Sequence, residues 1–283
     1  MSGAMSGRTC LITGATSGIG RATALGLAPM GATLVVLARD RQKGEVLLAD
    51  LRAAGAVDPT LLLADLSRQA EIRRVAAEFL ASGRPLHVLI NNAGVVNVAR
   101  SETADGIETT FAVNHLAYFL LTNLLLDRLR ASAPARIVNV ASEAHKFAPL
   151  DFDDLNATKR YATMRVYGQS KLANILFTSE LARRLAGSGV TVNALHPGAV
   201  ATGLGQNNGA WARALIAMLR PFFRRPSDGA ATSIHLASAP EVAGITGKYF
   251  AKRREKRPSA AAQDAAAARR LWEASAQLVG LPG

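Results

Sequence analysis

The chain of 283 residues contains one cysteine, Cys10, so no disulfide can close within it and a reducing compartment, the cytoplasm, is the expected location. Cys10 lies in the apolar run Thr9-Cys10-Leu11-Ile12, which marks a buried thiol rather than a nucleophile. Aromatic residues make up only 5%, and Ala and Gly are abundant, which argues against an all-β sandwich and for helices packed closely on a sheet. No uncharged apolar run approaches the roughly 20 residues that span a bilayer, so no transmembrane segment is expected. Met1 to Gly7 is short and polar, so no signal peptide is expected. His115, His145 and His196 lack metal-ligand spacing; no metal is expected, and the three read as structural or substrate-adjacent. There is no internal repeat, low-complexity linker or composition break, so residues 1–283 are expected to form one domain.

The net charge of +12 raises the question of a nucleic-acid partner. The positive residues are spread along the chain, with one tight cluster at Lys252, Arg253, Arg254, Lys256 and Arg257, and no helix-turn-helix or stacking platform accompanies them. A solvated face, or attraction to anionic ligands such as a phosphorylated cofactor, accounts for the charge.

Short Val/Ile/Leu-rich runs alternate with helical patterns, and each run is too apolar to have one wet face. Strands are predicted near Thr9 to Thr13, Thr33 to Ala38, Leu61 to Ala64, Val88 to Asn91, Arg136 to Val140, Thr191 to Leu195 and Lys248 to Phe250. Helices are predicted near Ile19 to Pro29, Arg41 to Ala54, Gln69 to Ala81, Thr103 to Arg130, Tyr161 to Ala186 and Ser227 to Ala237, with a terminal helix over about 260–279. Right-handed crossovers turn this order into an α/β, Rossmann-type doubly wound parallel sheet of about seven strands. The irregular stretches Glu143 to Arg160 and Ala199 to Pro226 follow strand ends, where ligands of such sheets sit.

Directly after the first strand stands Thr13-Gly14-Ala15-Thr16-Ser17-Gly18-Ile19-Gly20. Glycines there let backbone N–H groups approach a pyrophosphate and accept φ angles that other residues resist, while the helix starting near Ile19 aims its positive end at the phosphates. An ordinary strand–helix turn would also suit glycine; the position between first strand and first helix favours the dinucleotide reading. At the end of the second strand, where an acid would accept the ribose hydroxyls of NAD, the chain carries Ala38 and then Arg39. A guanidinium suits the 2′-phosphate of NADP(H), although Arg39 paired with Asp40 on a solvated surface is the plainer alternative. Asp65-Leu66 after the third strand and Asn92-Ala93-Gly94 after the fourth fit the adenosine crevice, or are simply turn residues.

Tyr167 and Lys171 are four apart on a predicted helix and share a face. A nearby ammonium favours the phenolate and draws a phenol toward useful acidity. Alone, Y-x-x-x-K is a common accident; beneath a glycine-rich turn it is a candidate acid–base pair. Ser142 closes the fifth strand, where its hydroxyl can donate to a substrate oxygen, and Asn114 can hold a water that links Lys171 to solvent; either can equally be a cap or a satisfied core group.

These residues, in this order, resemble the short-chain dehydrogenase/reductase family: T-G-x-x-x-G-x-G at Thr13 to Gly20, N-N-A-G at Asn91 to Gly94, Ser142, Tyr167 with Lys171, and Pro197-Gly198. The resemblance implies Tyr167 as general acid/base, Lys171 as the group that lowers its pKa and holds the nicotinamide ribose, Ser142 as the orienter of the carbonyl, and Asn114 as the end of a proton relay. It implies that Gly14, Ser17, Gly18, Ile19, Gly20, Arg39, Asp65, Leu66, Asn92, Ala93, Gly94, Pro197, Gly198 and Thr202, with Tyr167 and Lys171, contact the cofactor. Val113-Asn114-His115-Leu116, Tyr167 to Asn174, His196-Pro197-Gly198 and Gly247-Lys248-Tyr249-Phe250 are similar to the retinol-dehydrogenase-like branch. That branch also has membrane-bound members, and no N-terminal anchor of the kind they carry is expected here.

The stretch after Thr202, with Trp211, Leu215, Ile216, Met218, Leu219, Phe222 and Phe223 edged by Arg213, Arg220, Arg224 and Arg225, is the expected substrate lid over about 199–226. An apolar lid suggests a lipophilic alcohol or carbonyl substrate; weak contact with a membrane surface is the other use of such a basic apolar segment. The expected activity is hydride transfer between NADP(H) and an alcohol or carbonyl carbon by a monomer or homodimer, and the alternative is a catalytically silent NADP-binding scaffold.

Overall fold

A computed structural model describes residues 3–198 and 225–282. Five apolar runs form a parallel sheet core: β1 Thr9–Thr13, β2 Thr33–Ala38, β4 Val88–Asn91, β5 Ala135–Val140 and β6 Val190–His196. On the outer side β3 spans Val57–Leu63, and at the far edge are β7 Tyr249–Ala251 and β8 Arg254–Glu255. The order across the sheet is β3-β2-β1-β4-β5-β6-β7-β8, parallel throughout except for the antiparallel β7–β8 pair. The chain leaves β1 toward β2 on one side and returns to place β4 on the other, so strand order reverses between β1 and β4 and a crevice opens at their carboxyl ends.

The helices are α1 Gly18–Leu27, α2 Arg41–Ala53, α3 Gln69–Ala81, α4 Thr109–Phe111, α5 Ala117–Leu124, α6 Leu126–Ala131, α7 Thr163–Arg184, α8 Pro226–Ser238 and α9 Ala265–Leu278. Two apolar layers cover the two faces of the sheet. One gathers Phe79, Leu116, Phe119, Phe177 and Trp272; the other gathers Ile12, Leu27, Leu34, Leu51 and Leu236. Burial on both faces is why the inner strands read as continuous apolar runs.

Four local differences separate the structure from the sequence prediction. β3 begins at Val57, before Pro59, because Pro is tolerated on the edge strand that β3 is. The eighth strand has two exposed charged residues and no apolar signature; a tight hairpin makes it, with Lys252 (φ 51°) and Arg253 (φ 62°) in the left-handed region. The single helix predicted over Thr103 to Arg130 starts only where the Glu108 carboxylate accepts the amides of Thr110 and Phe111 at 2.8 and 2.7 Å, passes through a π-helical turn at Ala112–Leu116, and breaks after Leu124. The terminal helix is split by Asp264, whose carboxylate caps Ala266 and Ala267 and starts α9. Thr202 and the expected lid, apart from Arg225 and Pro226, lie outside the described residues.

Candidate active site

The glycine-rich turn is tied to the end of β4 through side chains. Thr13 Oγ1 accepts the amides of Asn92 and Ala93 at 2.9 and 3.1 Å, and Asn92 Nδ2 donates to the carbonyls of Thr13 and Gly14 at 2.9 and 3.2 Å. Two glycines have no room for anything larger. A Cβ on Gly14 (φ +64°) would stand 2.7 Å from Ala93 Cα, and one on Gly20 would stand 2.4 Å from both Asn92 Nδ2 and the Gly14 carbonyl oxygen. Ser17 precedes α1 in extended conformation, without a side-chain cap, and no acid occupies the first turn. The first amides of α1 are thus left unpaired at a positive helix end, which is the chemistry that receives a phosphate.

One cavity of about 730 Å³ runs from this turn to the other end of the sheet. It is lined by Gly14, Ser17, Ile19, Ala38, Arg39, Asp65 and Leu66, by Asn92, Ala93 and Gly94 beside the glycine turn, and further along by Ser142, Tyr167, Lys171, Pro197 and Gly198. Gly18, Gly20 and Asn114 stand behind the lining. The Arg39 guanidinium has no ion-pair or hydrogen-bond partner among the described residues. Asp40 does not hold it: its carboxylate accepts the Lys43 amide at 3.1 Å and lies 3.7 Å from Lys43 Nζ. One Asp65 oxygen takes the Ser67 amide at 2.9 Å. The glycine cradle and the uncapped helix end fit the pyrophosphate of a nicotinamide dinucleotide.

Tyr167 and Lys171 project from the first turns of α7. Lys171 is buried; its ammonium donates to the Val140 carbonyl at 3.1 Å and lies 5.7 Å from the Tyr167 ring centre. Burial lowers the Lys171 pKa to about 7. Burial likewise raises the Tyr167 phenol above its ordinary range, against the opposing pull of a hydrogen bond with Ser142. Within the protein alone, desolvation therefore outweighs the acidifying effect that the Y-x-x-x-K spacing leads one to expect.

The Asn114 side chain is fully used. Its Oδ1 accepts the Val95 amide at 2.7 Å, and its Nδ2 donates to the Val95 carbonyl and to Ser170 Oγ, each at 3.0 Å. Its main-chain carbonyl, on the π-helical turn, accepts the Asn174 side-chain amide at 2.8 Å and keeps a second lone pair. Ser142 Oγ accepts the Ala144 amide at 3.2 Å.

Glu143, next to Ser142, gives no signal of its own in the sequence. Glu143 accepts from Tyr249 Oη at 2.9 Å and pairs with Lys146 and Lys256 at 2.7 and 2.9 Å. Although burial pushes its carboxyl up, these partners bring it down to about 2. His145 lies 2.7 Å from the Ser142 carbonyl and accepts the Ser259 amide at 3.1 Å, and His196 Nδ1 accepts the Glu143 amide at 3.3 Å. His145 thus touches the main chain of Ser142, and His196 that of Glu143. Among the described residues no group of His, Cys, Asp or Glu is arranged to hold a metal ion, and no helix is long and apolar enough to cross a membrane.

Residues 8–213 match the short chain dehydrogenase family. The chain belongs to that family. Within it the chain is retinol-dehydrogenase-like: it is 47% identical to human (Homo sapiens) retinol dehydrogenase 13 over 284 residues, covering 97% of this chain and 85% of that one. Among solved structures it is similar to an uncharacterized protein from Mycobacterium Paratuberculosis, with TM-score 0.79 and 35% identity over 98% of this chain and 94% of that one. A short chain dehydrogenase from Burkholderia cenocepacia J2315, solved in complex with NADP, aligns with TM-score 0.69 and 27% identity over 87% of this chain and 96% of that one. As a short-chain dehydrogenase the chain is an oxidoreductase that acts on alcohol or carbonyl groups with a nicotinamide cofactor.

Proposed function

We propose that this protein is an NADP(H)-dependent dehydrogenase/reductase that interconverts a lipophilic alcohol and its carbonyl compound, with Tyr167 as the acid/base. The observation that carries this reading is one continuous cleft with the glycine cradle and Arg39 at one end and Ser142, Tyr167 and Lys171 at the other. When bound, the nicotinamide supplies or accepts the hydride at the substrate carbon.

The chain's own residues manage the proton and the geometry. Ser142 and Tyr167, which both line the cleft, offer two hydroxyls to one substrate oxygen. In the reducing direction Tyr167 gives its proton to that oxygen, and in the oxidising direction takes it back. Lys171 stabilises the phenolate that results, and the Asn114 carbonyl holds the water through which the proton is replaced. The Arg39 fork, without a partner among the described residues, receives the 2′-phosphate, which supports NADP(H) over NAD(H). The relatives named retinol dehydrogenase make retinol, or an apolar alcohol of similar shape, the first substrate to try. The single, buried Cys10 is in keeping with a cytoplasmic location.

The test is a panel of aliphatic, aromatic and retinoid aldehydes assayed with NADPH and with NADH, on wild type and Tyr167→Phe. Turnover with NADPH that falls by about 100-fold or more in the variant is expected, since general acid–base catalysis contributes about 10²–10⁴-fold. Cofactor binding without turnover of any alcohol or carbonyl would favour the silent scaffold.

A further inference from the structure

Behind the cleft lies a line of inaccessible polar side chains that the proton transfer itself does not use: Asn174 on α7, His115 on the π-helical turn and Ser275 on α9. Asn174 Nδ2 donates to the main-chain carbonyl of Asn114 at 2.8 Å and lies 3.4 Å from the Val140 carbonyl oxygen, the same oxygen that takes the Lys171 ammonium. Both partners are acceptors, so the nitrogen end of the amide must face them and the oxygen end must face His115 Nδ1, 3.3 Å away. A ring nitrogen opposite a carbonyl oxygen has to carry the proton. His115 Nε2 therefore keeps its lone pair and accepts the Ser275 hydroxyl at 2.9 Å. Every bond in this line has one orientation, and burial, which lowers the His115 pKa to about 4, keeps the ring neutral.

The π-helical turn explains why such a brace is needed. The Ala117 amide reaches back to the Ala112 carbonyl, one residue further than in an α-helix, and the Asn114 carbonyl in this widened turn finds the Asn174 amide. No residue of α9 lines the cleft, yet Ser275 fixes the ring that fixes Asn174.

We propose that Asn174 is a positioning residue for the reaction: backed by His115 and Ser275, it holds the Asn114 and Val140 carbonyls, and through Val140 the Lys171 ammonium, at the places proton transfer requires. The inference rests on the roles given above to Tyr167, Lys171 and Asn114. It adds that the C-terminal helix is part of the support of the site.

The experiment uses the full chain with NADPH and whichever aldehyde it turns over. Asn174→Ala is expected to lower kcat by about 10- to 100-fold, the scale on which small misplacements of reacting groups act, with KM for NADPH changed by less than about 2-fold. The solvent deuterium isotope effect on kcat should rise and the pH profile of kcat should move, because proton transfer is what has been disturbed. Ser275→Ala, which removes one hydroxyl far from the cleft, should shift the same two readouts in the same direction by less. A folded Asn174→Ala protein with wild-type kcat overturns the proposal, and so does a lower kcat with wild-type pH profile and isotope effect, which is the mark of a merely structural residue. Should Asn174→Ala not fold, Ser275→Ala decides: unchanged readouts there overturn it as well. An active Tyr167→Phe would defeat the underlying reading, whereas a dead Tyr167→Phe beside a normal Asn174→Ala would defeat this inference alone.

Discussion

Asn92 Nδ2 donates to the Thr13 carbonyl at 2.9 Å, joining the end of β4 to the end of β1 across the line where the strand order reverses. Gly20 leaves the space in which that contact forms.

Gly20→Ala is therefore expected to push Asn92 and the Gly14 carbonyl apart. Overpacking of this kind costs about 1–3 kcal/mol, and the phosphate cradle should loosen with it. Urea unfolding should show the lower stability and fluorescence titration a weaker affinity for NADPH; a variant that binds NADPH as wild type does would show that the stitch is dispensable.

Cofactor choice should turn on Arg39. Replacing it with Asp puts a carboxylate where the 2′-phosphate is expected, so a charge-assisted hydrogen bond gives way to a repulsion between like charges. The ratio of kcat/KM for NADPH to that for NADH should then fall by about 10-fold or more. An unchanged ratio would remove Arg39 from the phosphate site.

Lys171 should make the free protein's stability depend on pH. Its folded pKa is about 7 against the ordinary 10.5, so between these values the unfolded chain binds more protons and stability rises with pH through this window. The cost of the buried amine is greatest below pH 7 and amounts to several kcal/mol, at about 1.4 kcal/mol per pH unit of displacement. Lys171→Met should lose activity yet resist urea better than wild type at pH 6, with the advantage shrinking toward pH 10. A constant difference across that range would contradict the buried, near-neutral amine.

Cys10 is completely buried, and burial pushes its thiol up to about 12. At pH 8 it should be inert to aromatic disulfide reagents in the native protein and react at the rate of unfolding in urea. Rapid native labelling would mean that β1 opens on its own.

Much of this was open to reading from the sequence. The apolar runs that became β1, β2, β4, β5 and β6 announce themselves because strands covered on both faces admit few polar residues. The glycine spacing and Tyr167 with Lys171 are legible for a different reason: a sterically forced turn and a one-turn helical separation are both short-range. β8, by contrast, is two exposed charged residues held by a hairpin, and the π-helical turn at Ala112–Leu116 has no pattern that separates it from the α-helix around it.

The sequence by itself determined the order of strands and helices and which side chains could do chemistry, since these follow from local periodicity and residue type. Only the tertiary structure decided that Asn114 spends its side chain on Val95 and Ser170, that Asn174 and Lys171 share the Val140 carbonyl, and that Ser275 reaches His115 from 160 positions away. Those hydrogen bonds join distant segments, and the burial that opposes ionisation of Tyr167 and Lys171 is built by distant segments too; hydrogen-bond direction and desolvation exist only once the segments have met.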